Sequence, residues 1–227
     1  MPPTPSVTTK AGRIAYRAAD GREIGRERFE LITHTHGHVL RALCEMDALR
    51  LIRDVTLALD ADWRPIDGFC RITRFGAVVA AQWFEVGAHA VRVNATIGGK
   101  AVPEHRIPTE AQLPYLGLHP LQGDALIVEA RGTSAVGRFM PIAAVTNSIS
   151  PNGDEALGQQ AMTIDVAYLG REPVTVAAGA FSARHYALRW RADWPPADLW
   201  VREQDCVFLR MRWPLIDEWY ELVEIDG

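Results

Sequence analysis

A period of two governs this sequence. From Gly12 onward, short segments alternate apolar and polar residues and are cut apart by turn residues, and no segment sustains the 3.6-residue repeat of an amphipathic helix. Asp20-Gly21, a pair that favours tight hairpin turns, separates residues 13–18 from 23–33. After His36-Gly37, residues 39–46 carry Leu40, Ala42, Cys44 and Met46 on one face, opposite Arg41 and Glu45. Residues 51–60 place Leu51, Arg53, Val55, Leu57 and Leu59 on one side. In residues 66–75, Ile66, Gly68, Cys70 and Ile72 share a face, with Asp67, Phe69, Arg71, Thr73 and Phe75 on the other. Residues 78–85, 89–97, 125–131, 138–145, 160–168, 174–190, 198–202, 206–213 and 218–225 continue the strand reading.

The pattern predicts an all-β fold: a single curved antiparallel sheet of about ten to twelve strands, forming a half-barrel or barrel around an apolar cavity. Residues 11–227 form that one domain, and residues 1–10, with Pro2, Pro3 and Pro5, form a flexible arm. Between Gly98 and Gly123, Pro103, Pro108, Pro114 and Pro120 exclude a long helix. A short helical piece over 109–113, capped by Thr109, makes this stretch a lid across the barrel mouth. Residues 147–154 form a turn-rich loop.

Composition narrows the function classes. With 48% hydrophobic residues in 227, the chain can bury a core without disulfide or metal staples. A net charge of −4 argues against a dedicated nucleic-acid binder, which needs a basic surplus. No apolar run reaches membrane-spanning length, and the start of the chain carries no signal-peptide core. Cys44, Cys70 and Cys206 are widely separated, as suits reduced thiols, and the expected address is the cytoplasm. Lys10 and Lys100 are the lysines; the basic residues are otherwise arginine, the better residue for bidentate recognition of a carboxylate.

The motif texts Phe181-Ser182-Ala183-Arg184-His185-Tyr186, Asp198-Leu199-Trp200-Val201 and Tyr220-Glu221-Leu222-Val223 follow one another as successive strands. Together with Gly21-Arg22-Glu23-Ile24-Gly25 and the turn Leu59-Asp60-Ala61-Asp62-Trp63-Arg64-Pro65, this order resembles a group of uncharacterised bacterial half-barrel proteins, similar in fold to periplasmic lipoprotein carriers. The resemblance implies a curved antiparallel sheet wrapped around an apolar cavity. Carriers of that type are exported, whereas this sequence shows no export signal.

Chemistry-bearing residues fall into three sets. His34-Thr35-His36-Gly37-His38 places His34 and His36 on one strand face, where Glu45 can complete a metal site across the hairpin, but the turn at Gly37 sends His38 elsewhere, and no metal is assigned. Arg53 and Arg71 stand among apolar residues, where a charge must be paired or face a cavity; they are candidate anchors for an anionic group, with Asp67, Trp83 and Tyr115 beside the ligand. His185, Tyr186 and His119 are candidate acid–base residues, although neighbours on a strand cannot both face one cavity. No phosphate loop, dinucleotide fingerprint or zinc signature calls for a cofactor. The expected function is binding of a hydrophobic or aromatic organic acid, with cofactor-independent lyase, isomerase or hydratase chemistry. Alternatives are a non-catalytic lipid or small-molecule carrier, and a protein-interaction module.

Overall fold

The computed structural model describes residues 7–153 and 158–227. Strands β1 (Thr8–Ala18), β2 (Glu23–His34), β3 (Gly37–Met46), β4 (Leu51–Asp60), β5 (Pro65–Arg74), β6 (Ala77–Val86), β7 (Ala90–Ile97) and β8 (Lys100–Pro108) run as one antiparallel meander. The chain then passes through β9 (Tyr115–Gly117), α1 (Leu121–Ala125) and α2 (Ile127–Arg131). A second meander follows: β10 (Phe139–Thr146), β11 (Gln160–Val176), β12 (Gly179–Arg189), β13 (Ala197–Arg202), β14 (Phe208–Trp213) and β15 (Glu218–Asp226). First and last strands join the halves, with Ile14 opposite Leu222 and Tyr16 opposite Tyr220. The result is a single curved sheet of 15 strands, nearly all-β and not closed into a barrel.

Alternation decides which side chains face inward. In β4, Leu51, Arg53, Val55, Leu57 and Leu59 are buried, and in β3 Leu40, Ala42 and Cys44 are, as the sequence predicts. Ile66 breaks the expected face because the β4–β5 register shifts between Ala58 and Leu59, turning it outward. An inward row crosses neighbouring strands: Ile14, Glu27, Cys44, Arg53 and Ile72 are successive cross-strand partners. Two ionisable side chains thus stand in an otherwise apolar row.

The proline-rich stretch divides. Lys100–Pro108 forms β8, an exposed edge strand where Pro103 is tolerated because a sheet edge leaves N–H positions unpaired. Residues 109–113 are irregular rather than helical; the helices lie further on, at α1 and α2. Residues 125–131, expected as a strand, are largely in α2, since a short apolar run has no period that separates buried helix from buried strand. This strap enters the half-barrel: Leu113, Leu116, Leu118, Leu121, Leu126 and Val128 are buried. Leu116 and Leu118 lie over Gly68 of β5, where an added Cβ would stand 2.8 Å from each. Gly68 therefore leaves the room that lets β9 rest on the sheet wall. The strap is also stapled to both meanders. Glu27 accepts from the N–H groups of Leu121 at 2.6 Å and Gln122 at 3.0 Å. Gln122 Nε2 donates to the Cys206 carbonyl at 3.0 Å, and its Oε1 accepts from the Phe208 N–H at 2.9 Å.

Residues 174–190, read as one strand, split into a β11–β12 hairpin. Of the expected N-terminal arm, Thr8–Lys10 belong to β1 and residues 1–6 lie outside the described residues, as does Asp154 of the turn-rich loop. All three cysteines are buried and free.

Candidate ligand-binding site

At the end of the half-barrel marked by the β1–β2, β3–β4 and β14–β15 turns, a cavity of about 550 Å³ opens. Tyr16, Ile24, Met46 and Leu49 form the wall from the first meander, and Met162, Ile164, Met211 and Tyr220 the wall from the second. Ala144 and Thr146 of β10 point into it, while Val145 between them faces away, as strand alternation requires. Three tryptophans stand at the mouth: the ring centroids of Trp190 and Trp194 lie 4.8 Å and 5.5 Å from that of Trp213. Trp213 Nε1 donates to the Pro195 carbonyl at 2.8 Å, which fixes the cluster against the β12–β13 loop.

The strap supplies the polar end. Tyr115 Oη donates to Asp124 Oδ1 at 2.8 Å. Burial pushes the Asp124 carboxyl up to about 6, with the Tyr115 hydrogen bond and the Arg53 charge pulling the other way. Burial first, and then the neighbouring Asp124, hold the Tyr115 hydroxyl well above the usual phenol range. His119, at φ 70°, places Nε2 3.1 Å from the Ser148 carbonyl and 3.2 Å from Thr146 Oγ1. A carbonyl can only accept, so Nε2 carries the hydrogen. Glu27 lies beneath the strap; burial pushes it up to about 7, against the pull of the Gln122 and Leu121 N–H groups.

Arg53 is fully buried on the inner face, but one layer behind the cavity wall. A Cβ added at Gly153 would stand 2.6 Å from His119 Cγ and 2.9 Å from Arg53 Nη1, so Gly153 packs against both side chains and the guanidinium is a near neighbour of the imidazole. Its Nε, Nη1 and Nη2 find no acceptor among the described residues, and the Cys70 thiol sits beside them.

Of the residues singled out in the sequence, the structure brings Tyr115 and His119 to the cavity and Arg53 behind it. It does not bring the others. Arg71 lies on the outer face, 3.4 Å from Asp54 and 5.2 Å over the Phe69 ring. Asp67 and Trp83 share that outer face, the latter exposed, because the inward set of β5 is Gly68, Cys70 and Ile72. His185 also faces outward, stacked on Trp200 at 4.3 Å, with Nε2 2.9 Å from Asp198 Oδ1. Tyr186 faces the core beside Tyr168, its hydroxyl without a partner among the described residues, and burial pushes it up to about 12. His34 accepts from the His36 N–H within its turn, Glu45 is paired with Arg26 and Arg28, and no group of three metal-ligating side chains occurs among the described residues.

Sequence reasoning missed Asp124, Glu27 and Thr146. Glu27 left a signal, since Gly25, Glu27, Phe29 and Leu31 alternate onto one face and put a carboxyl group among apolar neighbours. Asp124 left none that a strand reading of its surroundings could use.

No family model matches this chain, and no curated protein matches it. Solved structures do. A β-barrel-like protein of a domain of unknown function, DUF1849, from Brucella abortus superposes with a TM-score of 0.59 at 12% identity, covering 97% of each chain. A DUF1089 family protein from Pseudomonas aeruginosa matches at 0.47 and 16% identity, over 95% of this chain and 92% of its own. A protein with a YmcC-like fold from Bacteroides fragilis matches at 0.33 and 10%, over 96% and 95%. The likeness is one of fold. The DUF1849 match places the chain beside a bacterial barrel-like protein of unknown function, in agreement with the resemblance read from its strand and turn texts. Among the described residues, no helix is long and apolar enough to cross a membrane.

Proposed function

We propose that this protein binds a hydrophobic or aromatic organic acid in the cavity of its half-barrel. The observation that carries the reading is an apolar, tryptophan-mouthed cavity of about 550 Å³ whose inner end is polar and backed by the guanidinium of Arg53, which has no hydrogen-bond acceptor among the described residues. A cavity of this size suits a small ligand with an apolar body and a few placed polar contacts. Its body packs among Met46, Met162, Trp190 and Trp213, and its head group meets Tyr115, His119 and Asp124. Arg53 acts through the wall rather than by contact, because a buried charge is felt strongly over several ångströms of low-dielectric interior. Acid–base chemistry on the bound acid is the second reading, favoured by Asp124, a carboxyl group pushed to about 6 and held by a tyrosine hydroxyl.

The test is displacement of anilinonaphthalene sulfonate by decanoate, phenylacetate and the corresponding alcohols. The acids are expected to bind in preference to the alcohols. Ala144→Phe, which fills the cavity, is expected to weaken both by about tenfold or more. Met162→Trp serves if that variant does not fold. Arg53→Met is expected to remove the preference for acid over alcohol. Absence of binding by acid and alcohol alike, or undiminished binding by folded cavity-filled variants, overturns the reading. Deuterium appearing in recovered acid after incubation in heavy water supports the acid–base reading, and unaltered acid supports a carrier.

A further inference from the structure

Asp124 meets the cavity from α1, and its two oxygens differ. Oδ1 accepts from Tyr115, whereas Oδ2 makes no hydrogen bond to a described residue. Charged and titratable groups surround it from every side. Glu27 on β2 is already held by the N–H groups of Leu121 and Gln122. Arg53 on β4 is the buried cation behind the wall. Tyr115 on β9 donates to the carboxylate itself, and His119, in the link to α1, is turned with Nε2 toward the Ser148 carbonyl. On β15, Tyr220 donates to Glu218 at 3.0 Å, leaving that pair engaged with itself.

Among the described residues, the Asp124 charge is therefore set against one buried positive charge, that of Arg53. An acid anion entering the polar end adds a second negative charge to the same low-dielectric space. Two carboxylates in contact there cannot both stay ionised, and the stable arrangement is one proton between them. We propose that the bound acid docks its carboxyl group against Asp124 Oδ2 and shares a single proton with it, so that each acid anion bound takes up one proton from solvent. No bond other than the O–H is made, and the pair carries one net negative charge opposite Arg53. The elevated proton affinity of Asp124 in the empty cavity favours the same arrangement. The inference rests on the reading of the cavity as an acid-binding site.

Titration calorimetry of decanoate on the full chain, in phosphate and in Tris at the same pH, reads proton uptake directly from the difference in heats. Uptake of about one proton per decanoate is expected, with affinity falling about tenfold per pH unit above neutrality. Decanol, which has no carboxyl group, is expected to bind with no uptake and no pH dependence. Asp124→Asn is expected to bind decanoate with no uptake, and Glu27→Gln to retain it. Decanoate binding without uptake in the wild-type protein, or uptake that survives Asp124→Asn, overturns the inference while leaving the cavity reading intact. If neither decanoate nor decanol binds, the cavity reading fails first and takes this one with it. The wild-type buffer comparison decides the matter even if a variant does not fold.

Discussion

Glu27 shows how much a single inward carboxyl group can set. It lies opposite Ile14 and Cys44 on the apolar face of β2 and accepts from two N–H groups of the strap and from Tyr16 Oη at 3.2 Å. Burial raises it from 4.5 to about 7. The unfolded chain gives up this proton near the lower value and the folded chain near the higher one, so between them the folded state holds more protons. Stability is therefore highest below the unfolded value, falls as pH rises through the window and levels off above about 7, for a total of about 3 kcal/mol. Glu27→Gln keeps an acceptor for the strap and removes the titration. Chemical-denaturation midpoints measured from about pH 5 to about pH 8 are expected to slope less in this variant, with Asp124 contributing to the remaining slope and His38, lowered by burial, opposing it. An unchanged slope would assign the effect elsewhere. Arg53 was legible in the sequence because it interrupts an apolar face, and the same argument misplaced Arg71. Its aromatic neighbours line the outside, where arginine over phenylalanine is a stable surface pairing, so aromatic residues do not by themselves mark the cavity side.

Strands were legible where alternation met a turn signal. β2 to β7 lie within one or two residues of their expected bounds because each has one buried and one exposed face. The elements that were not legible lack that asymmetry. β8 is exposed almost throughout and carries Pro103, β9 is buried throughout, and α2, at five residues, is too short to show a period. Of these, β9 lines the cavity through Tyr115 and Gly117, and the neighbouring α1 adds Leu121 and Asp124, which is why the polar end was only half visible. The strap's seat can be tested at Gly68. Gly68→Ala forces Leu116 and Leu118 away from the wall, with an expected cost of about 1–3 kcal/mol, and Leu116→Ala alone opens a cavity costing about 2–5 kcal/mol. Combined, they are expected to cost less than their sum, because the new methyl group occupies space that the leucine vacates. Urea denaturation of the two single variants and the double variant measures the coupling, and strict additivity would mean that β9 does not rest on β5.

The whole sheet depends on one joint. The order β8 to β1 and then β15 to β10 is two meanders, with β9 added parallel to β10, and among the described residues strand pairing joins them only where β1 meets β15. Lys10 to Asp205 at 2.6 Å and Arg17 to Glu221 at 2.8 Å lie at that junction, and an added Cβ on Gly227 would stand 2.5 Å from the Thr9 carbonyl. The described ends of the chain are thus adjacent, while the crossing between meanders at 109–112 is mostly exposed. A chain reopened between Glu110 and Ala111, with residue 227 joined to residue 7 by a short Gly/Ser linker, keeps both meanders intact. It is expected to show the circular dichroism spectrum and cooperative melting of the original. Removing residues 217–227 instead strips β15 from between β1 and β14 and leaves two long unpaired edges. That chain is expected to aggregate or lose cooperative unfolding by size exclusion and calorimetry. A folded truncation beside an unfolded permutant would reverse the assignment, placing the stability of the half-barrel in the direct crossing through the strap rather than in the pairing of its first and last strands.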